Sequence, residues 1–206
     1  MDLRQRRKRR RRAGIVSAFM VFALGLAFFF ESQATTTVIF VRHADAPLVV
    51  DENTGLSPSG ALRAEELARV LGDVDVVQGV DAIFSSPLRV NQETAAPLAR
   101  QLDLPVQEFD PQNNRALRKR ILRKYKGKVV LVVAEPELIP TVVARLQGSK
   151  KIPPMGDGEY DNIYIVSIPW YGKVKTLRLH YGTRPDPVPE LQNGLAPSSP
   201  SEVSGG

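Results

Sequence analysis

The chain has 206 residues, a formal net charge of +6 and no cysteine. The absence of thiols excludes a disulfide framework, a thiolate nucleophile and a Cys-based metal site. The positive charge is local: eight cations lie within the first 12 residues, and from residue 32 onward 20 Lys+Arg face 20 Asp+Glu, so the overall charge gives no argument for a nucleic-acid partner.

Residues 1–12 read as a basic cytoplasmic leader. Residues 13–30 form an uncharged run that would rise about 27 Å as a helix, close to the hydrocarbon thickness of a bilayer. A basic flank ahead of such a run keeps the N-terminus in the cytoplasm and sends the remainder across. Two readings stand. The length of the run and its Phe28-Phe29-Phe30 end favour an uncleaved transmembrane signal anchor. Ser32-Gln33-Ala34 has small residues at the two spacings that cleavage requires, which favours a cleaved signal peptide. The anchor is the expected one: single-pass in the inner (plasma) membrane, with the domain periplasmic or extracellular.

Further along, Val-Ile-Phe-Val at residues 38–41 reads as a buried strand, and it delivers Arg42 and His43 into a polar turn. Arg42 offers a forked cation suited to phosphate; His43 offers a nucleophile or proton carrier near neutral pH. Ser57 and Pro58 stand in capping positions and open a helix over residues 57–71. A strand at 82–84, a helix at 88–102 and a short strand near 105–108 follow. The helix expected at 112–125 is polar except for a narrow stripe of Ala116, Leu117, Ile121 and Leu122, and its many cations read as a solvated face. A strand at 129–133 and a helix at 136–146 come next. Strands at 163–168 and 174–179 adjoin through Pro169-Trp170-Tyr171-Gly172, a hairpin that adds an antiparallel edge.

This alternation predicts an α/β fold. It is a three-layer sandwich with a mostly parallel central sheet and helices on both faces, occupying residues 36–182, plus the N-terminal transmembrane helix. Residues 183–206 are rich in Pro, Ser and Gly and carry too little apolar surface to offset ordering entropy, so they read as a disordered tail.

Four pieces recur in a telling order: the strand with Arg42-His43, Leu56-Ser57-Pro58-Ser59-Gly60 opening a helix, Ser85-Ser86-Pro87-Leu88-Arg89 after a second strand, and Thr94-Ala95 five residues past that Arg. The order resembles the histidine phosphatase (phosphoglycerate mutase-like) superfamily, and more closely its small phosphatase branch. Glu159-Tyr160-Asp161-Asn162 before a late strand is similar to the family's closing segment. The resemblance implies that His43 attacks phosphorus to give a phosphohistidine, while Arg42 and Arg89 bind the phosphoryl oxygens. Asp45 would protonate the leaving group or orient the His43 turn.

One part departs from the family. After the fourth main strand the family usually reads Gly-His, the second catalytic imidazole, whereas here the chain reads Ala134-Glu135-Pro136-Glu137. Glu135 stands where that His belongs. Ionised, it would set a negative charge beside phosphate at a cost of about 4 kcal/mol for one pair at 4 Å and an effective dielectric near 20. It would otherwise pair with Arg42 or Arg89, or act while neutral as the acid. The resemblance therefore implies a membrane-anchored, exported hydrolase of phosphate monoesters with impaired or altered activity. The alternative is an inactive pseudophosphatase serving as a binding or scaffolding domain. A phosphorylated small molecule or phosphoprotein and the membrane are the expected partners. No cofactor is implied and no metal, since His43 and Asp45 have no further His or Cys beside them in sequence. His180, on the last strand, reads as a core-edge histidine.

Overall fold

The computed structural model describes residues 3–31, 35–47, 50–73, 79–156 and 158–182. In chain order the elements are α1 (Leu3–Glu31), β1 (Thr36–Arg42), α2 (Pro58–Gly72), β2 (Ala82–Ser85), α3 (Arg89–Leu102) and β3 (Val106–Glu108). They continue with α4 (Asn114–Lys124), β4 (Val129–Ala134), α5 (Leu138–Arg145), β5 (Asn162–Ile168) and β6 (Lys175–His180).

The six strands form one mixed sheet in the order β3-β2-β4-β1-β5-β6. β1, β2, β3 and β4 run in parallel, with Arg42 opposite Ala134 and Ser85 opposite Val133. β5 lies antiparallel against β1, and β6 antiparallel against β5. The carboxyl ends of β1, β2 and β4 and the amino end of β5 therefore share one edge of the sheet, where ligands bind in sheets of this kind.

The period of two along β1 builds two cores. Val38 and Phe40 face α4 and α5, packing with Leu117, Ile121, Ile139 and Val142. Ile39 and Val41 face α2 and α3, packing with Leu67, Leu71, Ala95 and Leu98. Helices thus cover both faces, and β1 is buried on each side, which is why it reads as an unbroken apolar run. Ser57 caps α2 by accepting the Gly60 amide at 3.1 Å, with Pro58 in the first turn.

The expected transmembrane helix needs correction. Among the described residues no helix is long and apolar enough to cross a membrane. α1 takes in the arginine block as well as the apolar run. The possible cleavage segment Ser32-Gln33-Ala34 and the tail at 183–206 lie outside the described residues.

Candidate active site

β1 ends in two buried polar residues, Arg42 and His43, which are 8 % and 5 % exposed. His43 Nδ1 lies 2.8 Å from the carbonyl oxygen of Ala44. A carbonyl can only accept, so Nδ1 carries the proton and Nε2 keeps its lone pair. Burial lowers the pKa of the ring below the ordinary 6.5, and the Arg42 charge adds to this. The Ala44 carbonyl and the carboxylates Glu135 and Glu137 oppose it without reversing it. The resting ring is a neutral imidazole with one free nitrogen.

Arg42 donates from Nη1 to the carbonyl of Gly156 at 2.8 Å. Its guanidinium carbon sits 4.3 Å from the centre of the Tyr160 ring, a cation-π stack. The same Tyr160 ring packs against His43 at 5.8 Å between centroids. Arg42 Nε is buried without a hydrogen-bond partner among the described residues, an unspent donor next to the imidazole. Tyr160 and Gly156 arrive from the segment ahead of β5, which the antiparallel direction of that strand brings to this edge. Tyr160 lay within the closing segment recognisable in the sequence, but its stacking on Arg42 was not readable there.

Glu135 immediately follows β4, beside the Arg42 end of β1. Its Oε1 accepts from Ser86 Oγ at 2.8 Å, and Ser86 Oγ accepts from Asn91 Nδ2 at 2.7 Å. Ser86 and Asn91 are fully buried. Glu135 Oε2 is buried and has no hydrogen-bond partner among the described residues. Glu135 pairs with neither Arg42 nor Arg89.

Asp45 forms an ion pair with Arg63 of α2. Its backbone carbonyl accepts from the amide and hydroxyl of Ser57 at 2.9 and 3.0 Å. The residue thus fastens the loop after His43 to the start of α2. A cleft of about 510 Å³ opens beside Arg63, Ser59 and Glu66, but its lining includes neither Arg42 nor His43.

Arg89 opens α3 at the same edge of the sheet. Its side chain is 58 % exposed, paired through Nε with Glu93 at 2.7 Å and through Nη1 with the Asn53 carbonyl at 3.3 Å. In this state it braces the loop ahead of α2, together with a bond from the Leu56 amide to Glu93 at 2.8 Å. His180 pairs with Asp161 at 2.9 Å at the end of β6. Among the described residues no group of three or more His, Asp or Glu is disposed to hold a metal ion.

What these elements define is an α/β sandwich that presents a buried, neutral imidazole and a buried guanidinium at the carboxyl edge of its parallel strands. Residues 38–111 match the family model of the histidine phosphatase superfamily (branch 1). The chain is also 48 % identical over 56 residues to an uncharacterized protein of Mycobacterium tuberculosis (strain ATCC 25618 / H37Rv); the match spans 27 % of this chain and 25 % of that relative. Among solved structures it is similar to mycobacterial hydrolase 2, with a TM-score of 0.57 and 15 % identity over 74 % of this chain and 94 % of that one. It is similar to the protein histidine phosphatase SixA complexed with tungstate, with a TM-score of 0.55 and 21 % identity over 70 % and 96 %. A third likeness is to mycobacterial glucosyl-3-phosphoglycerate phosphatase with inorganic phosphate, with a TM-score of 0.53 and 17 % identity over 71 % and 97 %. The family match covers β1 to β3, and the likeness to the solved structures extends the shared fold beyond it.

Proposed function

We propose that the domain hydrolyses phosphate monoesters through a phosphohistidine at His43, with an acid/base set altered by Glu135. The carrying observation is the bond from His43 Nδ1 to the Ala44 carbonyl, which leaves Nε2 unprotonated on a ring already neutral at pH 7. Nε2 attacks phosphorus and the bond to the leaving oxygen breaks; water then attacks the phosphorylated ring and releases inorganic phosphate. Arg42, dry and held flat against Tyr160, stabilises the equatorial oxygens. Arg89 is the second phosphate-binding residue in this reading, exchanging Glu93 for the phosphoryl group.

Glu135 takes the place that the family gives to a second imidazole. A carboxylate there weakens phosphate binding, so turnover is slower than with the usual residue set. A binding or scaffolding role without turnover is the competing reading, and the exposed, Glu93-paired state of Arg89 favours it. Incubating the purified protein with a radiolabelled aryl phosphate separates the two. Release of phosphate together with an acid-labile, alkali-stable phosphoprotein, both lost in His43→Ala, is the expected result. A wild-type protein that forms no phosphoprotein and releases no phosphate would leave only the scaffolding role.

A further inference from the structure

We infer that Ser86 and Asn91 are positioning residues that hold the Glu135 carboxyl by one oxygen, so that the other handles the leaving-group proton. This rests on the phosphohistidine reading above and assigns its missing acid.

The chain of bonds has a fixed direction. Asn91 Nδ2 can only donate, so Ser86 Oγ receives that proton at 2.7 Å and must spend its own on Glu135 Oε1 at 2.8 Å. Oε1 is thereby an obligate acceptor, and a proton taken up by the carboxyl resides on Oε2. Oε2 is buried and without a partner among the described residues, and the Glu135 charge is felt at the His43 ring. The other carboxylate considered, Asp45, is committed to Arg63 and to the α2 cap. Ser86 and Asn91 are themselves immobilised, since both are fully buried and the Ser86 amide donates to Val133 at 3.2 Å. A carboxyl held this way keeps its orientation through the reaction, which general acid catalysis requires.

The steps balance. As His43 Nε2 bonds to phosphorus, the phosphorus–oxygen bond to the leaving group breaks and that oxygen takes the proton from Glu135 Oε2. Water then attacks phosphorus, returns one proton to Oε2, and the phosphorus–nitrogen bond breaks to restore the neutral ring.

Leaving groups differ in their need for an acid, which supplies the test. 2,4-Dinitrophenolate departs unaided, whereas the alkoxide of glycerol 2-phosphate requires protonation. Rates on both substrates are measured for the full chain and for Glu135→Gln, Ser86→Ala and Ser86→Thr. The ratio of the alkyl to the dinitrophenyl rate should fall on the order of a hundredfold in Glu135→Gln, the usual range for losing a general acid. It should fall about tenfold in Ser86→Ala and recover in Ser86→Thr, which restores the hydroxyl. Should Ser86→Ala not fold, the Glu135→Gln ratio decides alone. An unchanged ratio in Glu135→Gln, or equal losses on both substrates, would overturn the assignment while leaving phosphohistidine chemistry intact. Failure of wild type to form a phosphoprotein even from 2,4-dinitrophenyl phosphate would instead overturn the underlying reading, and this inference with it.

Discussion

Thr94 accepts the amide proton of Ala44 at 2.9 Å and passes its own to the Val90 carbonyl at 2.7 Å, so α3 grips the loop that carries His43. All three groups are buried. Replacing Thr94 by the isosteric Val would strand the Ala44 amide, at a cost of about 1 to 3 kcal/mol. Urea denaturation of Thr94→Val is expected to show that loss. A midpoint equal to wild type would mean that the bond does not hold the loop.

The depressed pKa of His43 sets a pH dependence. The folded ring takes its proton only below the ordinary 6.5, so between the two values the unfolded chain binds more protons. Stability then rises with pH across that window: the contribution is complete above 6.5 and lost as pH falls through the folded value. Lowering pH from 7 to 5 should cost wild type more stability than His43→Gln. An NMR titration in a His180→Gln background reports the one remaining ring, and a midpoint above 6.5 would contradict the burial argument.

Glu135→Gln should bind phosphate or vanadate more tightly at pH 7 by about 1 to 4 kcal/mol, the range for relieving one screened like-charge contact. Tighter phosphate binding in this variant is compatible with slower turnover of alkyl phosphates, because an amide relieves the charge but has no proton to give a leaving group. Titration calorimetry measures the first directly. Weaker binding would show that Glu135 does not face the phosphate.

Gly60 sits inside α2, where Ala ordinarily gains close to 1 kcal/mol. Here an added β-carbon would be driven into the backbone carbonyl of Asp45, the group that caps against Ser57. We expect Gly60→Ala to destabilise by about 1 to 3 kcal/mol instead, as overpacking does, with phosphoryl transfer falling alongside because the same clash displaces the His43 loop. Thermal melts of the variant check the sign.

No helix among the described residues is long and apolar enough to cross a membrane; for the leader we propose export with removal of the N-terminal segment. Its sequence grounds are the basic block, the apolar run and Ser32-Gln33-Ala34. A reporter that is active only outside the cytoplasm, fused after Gly206, should then be active, and mature protein should begin at Thr35. A reporter active only in the cytoplasm would refute export.

Much of the frame was legible because buried strands advertise themselves. Val-Ile-Phe-Val and Val-Val-Leu-Val-Val have no polar interruption, and each became a central strand of the sheet. The hairpin of β5 and β6 followed from the Trp-Tyr-Gly turn. Side-chain direction was not legible. Arg89 and Arg42 look alike in sequence, yet Arg89 has Glu93 one helical turn away and settles on it, while Arg42 meets an aromatic ring more than a hundred residues distant. The anchor was misread because hydropathy was counted from the end of the arginine block, whereas α1 runs through it. Ser86 stood inside a recognisable motif, but its bond to Glu135 spans 49 positions and no spacing rule predicts it.

The cover over Arg42 comes from Gly156, 114 residues later in the chain. At about 5 to 20 residues per second of synthesis, the nascent polypeptide therefore carries an uncapped guanidinium and an unshielded imidazole for about 6 to 23 s. For most of that interval β1 also lacks both of its sheet neighbours, β4 and β5, and the two groups remain open to any passing anion. Completion of the pocket is timed by translation of its last third.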